Sequence, residues 1–422
     1  MSTPVATDIR EVLRTASASA LLGDTVRTSI DAFSLPPAKS EEYRFLPLTR
    51  HLEKNFSAQQ WVSSAPSQQG AVKSWLGTSA IAVTVRNGRV VSITGSHPDV
   101  TVLPLAEAKR THGAQVKTIL GQLSWSDPFT VLNGAAAQDG LFVWARAGKR
   151  VDVPIHIRHV HEATEAGASH VRLAAVVEAG AEVTLLEEFS STGQAPFFQT
   201  QVVEVDCHPG SRLNYFRIQN DHGNTTHVAN TLIRQADKST VNACTLTLDG
   251  EIVRNNFAIA VDGEHCESNF HGLYLLQGKT MADNHTVVDH KKPHSHSNEL
   301  YKGIMDGQSR GIFNGKIFVR PHAQKTNAFQ SNRNILLSDQ ATVNTKPQLE
   351  IWADDVKCSH GCTSGQLDEE ALFYLQSRGI DKKSAQAMLL YAFAADVFSI
   401  IEHEAIRAYV DALVVQRLYP TA

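Results

Sequence analysis

The sequence predicts a mainly β protein, a stack of short strand coils between two helical regions. Three observations predict it. Residues 81 to 360 are built from short runs rich in Val, Ile, Thr and Leu, separated by Gly, Asn and Asp. Near the end of that stretch, turn-forming triplets recur every 16 residues. On either side, apolar residues change to helical spacing.

Taken in order, residues 1–80 read as an N-terminal helical region. "DIREVLRTASASALL" places Ile9, Val12, Leu13 and Leu21 at helical intervals. "SLPPAKSEEYRFLPLTR" follows, with a proline pair that breaks the helix and aromatic residues that could anchor the segment on the core. The β core spans 81–362. Its repeats are Gly307-Gln308-Ser309, Ala323-Gln324-Lys325, Asp339-Gln340-Ala341 and Asp355-Val356-Lys357; Phe313 and Phe329 share one phase, and Val319, Ile335 and Ile351 another. A rung of a stacked coil cannot cover its own apolar face, so its neighbours cover it and the helical ends are placed to act as caps. A jelly-roll or Greek-key sandwich is the competing arrangement. Residues 363–422 read as a C-terminal helical domain. Asp368 caps a first helix carrying Leu372, Phe373 and Leu375, Gly379 ends it, and two more helices follow. The run "AMLLYAFAADVFSII" is too apolar for packing on one side only, which leaves burial in a helical cap or a partner surface.

Composition narrows the class. A chain of 422 residues, 42% hydrophobic, buries a large core and suggests two or three folding units. The N-terminus shows no apolar leader, and no segment approaches roughly 20 uninterrupted apolar residues, so a cytoplasmic protein without a membrane span is expected. Five scattered cysteines read as reduced thiols. Lys and Arg number 39 against 43 Asp and Glu, with no basic tract to bind nucleic acid.

Reactive residue types gather in three places. "DNHTVVDHKKPHSHSNELYKG" holds His285, His290, His294 and His296 beside Asp283 and Asp289. On a strand, His294 and His296 would face one side and could share a metal, or the stretch is a polar loop. "GEHCESNFHG" brings together Glu264, His265, Cys266, Glu267 and His271, types more often packed than ligating in strands. "KCSHGC" offers Cys358, His360 and Cys362. Two thiols are too few for a closed tetrahedral site, and Cys358 and His360 make a nucleophile–base pair only if the backbone curls. Phosphate-binding loops, the dinucleotide fingerprint and H-E-x-x-H are absent from the sequence, which looks catalytically incomplete.

Residues 289–380, from "DHKKPHSHSNELYKGIMDGQSRG" through "KCSHGCTSGQLDEEALFYLQSRGI", resemble the signature core of the SufB/SufD family of iron–sulfur cluster assembly scaffolds. "KSEEYRF" and the chain length resemble its D-type members. The resemblance implies a right-handed parallel β-helix flanked by helical regions. It implies pairing with a SufB-like subunit through the β-helix and binding of the SufC-like ATPase by the C-terminal domain, where Leu372, Phe373, Leu375 and Arg378 are the expected contacts. It also implies that His360 lies at the interface with the B-type subunit and serves nascent cluster assembly, with its imidazole a candidate iron ligand. Cys358 matches a position that the family fills with cysteine or serine. Cys362 stands where alanine is more usual, as an extra ligand or a small buried residue. No cofactor is expected to stay bound to the chain alone; the cluster would be transient cargo of the complex. A homodimeric scaffold or cluster carrier is the second reading. A polysaccharide-cleaving β-helix enzyme is the third, disfavoured by modest aromatic content.

Overall fold

In the second half of the chain, strands begin at Met281, His296, Arg310, Asn327, Thr342 and Lys357, and successive strands alternate between two sheets. Same-sheet neighbours are parallel and in register: Met281 pairs with Arg310, Arg310 with Thr342, His296 with Asn327, and Asn327 with Lys357. A full coil there therefore takes 29 to 32 residues. This computed structural model is a parallel β-helix with a ten-stranded and a nine-stranded sheet, and it describes residues 8–37, 39–63, 70–123 and 127–419. The first seven residues, part of the stretch read as lacking a leader, lie outside the described residues.

The 16-residue interval is thus the step of half a coil, and its triplets mark the turns between sheets. The step varies between 14 and 17 residues, and a change of one residue turns a side chain from inside to outside. Hence Phe313 is buried while Phe329, one step later, is exposed. Val319 and Ile335 are buried, but Ile351 on the last coil is exposed.

Inside the coil, Val183, Leu185, Val203, Val205, Ile259 and Ile317 belong to one apolar core running along the axis. Outside it, both sheets are covered by helices. Lys382–Phe398 and Glu404–Leu418 lie on the ten-stranded sheet, where Leu390, Ala394, Val397 and Phe398 meet Phe216, Leu246, Leu273 and Ile304. The apolar run "AMLLYAFAADVFSII" is largely consumed by this contact. Lys302 fixes the helix to the sheet, its Nζ 2.7 Å from both the Phe393 carbonyl and Asp396 Oδ2.

The nine-stranded sheet is covered by Ile9–Ser17, Leu48–Asn55 and Pro128–Ala136, through Leu13, Leu52 and Phe129 against Phe198 and Val228. Helices Leu105–Thr111 and Gly113–Ile119 join them against Phe142 and Val176. The strand-and-turn reading of 81–360 does not include these three inserted helices. Of the two aromatics of "KSEEYRF", Tyr43 anchors the segment and Phe45 is exposed. Tyr43 is buried and donates to Asp127, the guanidinium of Arg254 sits 4.0 Å from its ring centre, and Glu42 binds Lys316 and His285.

Both helical regions therefore flank the coil, where capping of its ends was expected. Outward positions of the central strands are apolar and need cover of their own, which the helices supply. At the N-terminal end, antiparallel strands Arg89–Thr94 and Val100–Pro104 form the two sheet edges. At the other end, Thr342–Ile351 and Lys357–Gly365 are the edges, each paired on one side only. Among the described residues no helix is long and apolar enough to cross a membrane.

Candidate functional site at the open end of the coil

Residues Cys358, His360 and Cys362 lie on the last strand, Lys357–Gly365. Alternate residues of a strand share a face, so all three belong to one row. They stand in register over Ala328, Gln330 and Asn332 of the preceding coil, each buried in the interior. The row thus continues the inner wall of the β-helix at the point where the stack stops. Cys358 is half-buried and packs on the internal core; His360 and Cys362 are exposed.

The extended backbone separates Cys358 and His360 by about 7 Å along the strand. The curl that a nucleophile–base pair requires does not occur. Burial also pushes the Cys358 thiol above its usual value, against a backbone hydrogen bond from Ala328, which disfavours a reactive thiolate. The geometry instead turns sulfur and imidazole side chains toward whatever approaches the open end.

Beneath His360 the wall is polar. Gln330 donates from Nε2 to Glu299 Oε2 at 2.8 Å, and Thr286 donates to the other carboxyl oxygen. Glu299 stands in register with Gln330, so Glu299, Gln330 and His360 form a file through three coils. Burial pushes the Glu299 carboxyl up to about 7, against its two donors. Glu299 and Gln330 escaped the sequence reading because an acid and an amide inside strand runs look like solvent-facing positions. Only the register shows that they line the interior.

Large apolar side chains are exposed around this end among charged ones. Trp352 is 50% exposed, and Ile351, Leu337 and Phe329 are exposed with it. Arg320 binds Asp289 through Nε and Nη2 at 2.7 and 3.1 Å, with its guanidinium about equally close to the rings of Phe318 and Trp352. Two half-satisfied strand edges and exposed aromatics at one end form a surface suited to pairing.

The other clusters do not converge. His285 binds Glu42 and Asp283 in the N-terminal clasp, and His290 points inward to Ser297 Oγ at 2.9 Å. His294 sits in a turn, its ring stacked on that of His265, while His296 lies beside Asn327. The shared face expected for His294 and His296 fails because the strand starts only at His296. Cys266 and His271 are packed, their polar atoms bonded to the Ala236 and Val397 carbonyls. Among the described residues no three His, Cys, Asp or Glu side chains are placed to hold a metal. No such group includes His360.

Leu372, Phe373 and Leu375 lie on helix Glu369–Ser377, capped by Asp368 as expected, with Arg378 at its C-terminus and Gly379 at φ +86° beyond. They do not form one exposed face. Leu372 and Leu375 are half-buried, whereas Phe373 is 73% exposed beside the exposed Tyr374, over which Arg378 lies.

The comparisons with known proteins fit this architecture. The model described as "SUF system FeS cluster assembly, SufBD core domain" matches residues 158–393, and the "SufBD protein N-terminal region" model matches 8–157. The chain is 30% identical over 392 residues to the iron–sulfur cluster assembly protein SufD of Escherichia coli, covering 91% of this chain and 89% of that protein. It is 34% identical to a SufBD family protein of Synechocystis, over 68% of this chain and 66% of the relative. A chloroplastic protein of Arabidopsis thaliana is 30% identical over 69% and 63% of the two chains. With both family models in series over nearly its whole length, the chain belongs to the SufBD family.

Proposed function

We propose that this chain is a noncatalytic scaffold subunit of an ATP-dependent iron–sulfur cluster assembly complex. The observation that carries the reading is the open end of the β-helix. There two strand edges lack a partner among the described residues, and Cys358, His360 and Cys362 extend the inner wall toward whatever docks. A SufB-like subunit, itself a β-helix by family, would continue both sheets across the interface and bury Phe329, Ile351 and Trp352. His360 then supplies a neutral imidazole to nascent cluster, the other ligands coming from the partner. The cluster is cargo and stays with the complex only transiently. Energy comes from a SufC-like ATPase, docked on the C-terminal helices at exposed Phe373, with Tyr374 and Arg378 beside it.

A second copy of this chain could also pair at the same edges, giving a homodimeric scaffold. The test is co-expression with the B-type and ATPase subunits, followed by iron and acid-labile sulfide counts for wild type and His360→Ala. The reading expects wild-type complex with cluster and a mutant complex that assembles without it. Equal cluster in both removes His360 from the chemistry. A self-paired chain that excludes the B-type subunit favours the homodimer.

A further inference from the structure

We propose that Gln330 is a positioning residue for His360, oriented from below by Glu299. This rests on the reading that His360 serves cluster assembly. The side chain of Gln330 is 3% exposed and committed at one end only: Nε2 donates to Glu299 at 2.8 Å. Its other end, Oε1, is buried without a hydrogen-bond partner. A buried amide oxygen left unpaired is costly, and native interiors rarely keep one without a use.

The pocket around this amide is built to hold it. Glu299, 1% exposed and held by Thr286, faces it on one side. On the opposite sheet stands Gly315, where a Cβ would collide with the Gln330 amide nitrogen. Every other residue type at 315 would push Gln330 out of its place. Directly above Gln330 in register is His360.

Neighbouring strands lie about 4.8 Å apart, so a His360 ring turned onto the row beneath brings a ring N–H within reach of Oε1. An imidazole that donates one N–H to a fixed acceptor holds its other nitrogen as a lone-pair donor, aimed away from the acceptor. Here that direction is out of the open end, toward the docked partner. Glu299 sets which end of the amide points up: its Oε2 takes the NH2 and leaves the oxygen for His360.

The test reads the imidazole directly in the full chain, without partners or cluster. Side-chain 15N spectra of histidine-labelled protein, with His360 assigned by its loss in His360→Gln, give its tautomer. One dominant His360 tautomer is expected in the wild type. Gln330→Leu, which keeps the volume and removes the acceptor, should return it to the mixture of a free imidazole. Gly315→Ala, which keeps the amide and displaces it, should do the same. If His360 is a free mixture in wild type, or its tautomer is the same in all three proteins, the proposal fails. In the co-expressed complex, Gln330→Leu should then lose cluster several-fold while assembling normally. Unchanged cluster with an altered tautomer would remove His360 orientation from the function and leave the contact itself standing.

Discussion

The ring of Tyr409 stacks on that of Trp75, centroids 4.0 Å apart and 22° from parallel. One belongs to the last helix, the other to the segment before the first strand, so the stack joins the two ends of the chain across the ten-stranded sheet. Both rings also reach Glu188 of that sheet: Tyr409 Oη donates at 2.6 Å and Trp75 Nε1 at 3.1 Å. Glu188 takes His156 and Arg158 as well, and burial would lift its carboxyl were these partners not holding it below the usual value. A double-mutant cycle with Trp75→Leu and Tyr409→Leu should give a coupling of about 1 kcal/mol beyond the lost area. It would be read from hydrogen exchange of Glu404–Leu418, which reports release of that helix alone. Additive effects would mean that the two residues stabilise the helix independently.

The docking assignment can be made sharper than the sequence allowed. If the ATPase docks as proposed, a charge at Phe373 meets solvent in the free chain and the partner in the complex, whereas a charge at the half-buried Leu375 also disturbs packing on the neighbouring helix. Phe373→Asp should therefore leave the melting temperature within about a degree and weaken ATPase capture at least tenfold, while Leu375→Asp lowers both. Pull-down titration beside thermal melts checks this. Undiminished capture by Phe373→Asp would move the docking surface elsewhere.

Much of the fold was legible because strands and helices obey different apolar periods, and the sequence switches between them near residues 81 and 363. The 16-residue interval also reported a real object, the half coil. What it could not report was inside against outside. In the middle of this molecule each strand is covered on both faces, by the opposite sheet within and by helices without, so alternation disappears: Phe197–Cys207 is buried at every position. The site was half legible. Cys358, His360 and Cys362 stood out as reactive types, yet Gln330 and Glu299 lie 30 and 61 residues before His360 and join it only through register. The helices at 105–136 were missed because short helices inserted between strands carry little periodic signal of their own.

Burial without charge leaves an acid-sensitive interior. His161 is pushed down to about 3 and His170 and His290 to about 4, in each case chiefly by burial. His170 illustrates the reason. Its Nε2 donates to the Trp61 carbonyl at 2.6 Å, so Nδ1 accepts from Thr200 Oγ1 at 2.7 Å and the ring is held neutral. Because the folded values lie below the ordinary 6.5, the unfolded chain binds more protons between about pH 6.5 and 4. Stability from these rings is full above pH 6.5 and falls as the pH drops through that window, by on the order of 2 kcal/mol per ring at pH 5. His170→Gln should flatten the pH 5 to 7 slope of urea unfolding by about one proton. An unchanged slope would mean that His170 is already charged in the folded chain.

Glu299 has the opposite sign. Its folded carboxyl, lifted to about 7 by burial, keeps its proton where the unfolded chain has lost it. Folded protein therefore binds more protons between roughly pH 4.5 and 7, and stability declines as the pH rises through that range, by about 3 kcal/mol in all. Glu299→Gln imitates the protonated acid at every pH and meets an unused acceptor, the buried Gln330 Oε1. The substitution should gain under 1 kcal/mol at pH 5 and about 3 kcal/mol at pH 8.5 in urea unfolding. It should also turn the Gln330 oxygen downward, away from His360. A more stable chain whose complex assembles cluster less well is the expected combination, and equal stability at both pH values would show that Glu299 is not held protonated by its burial.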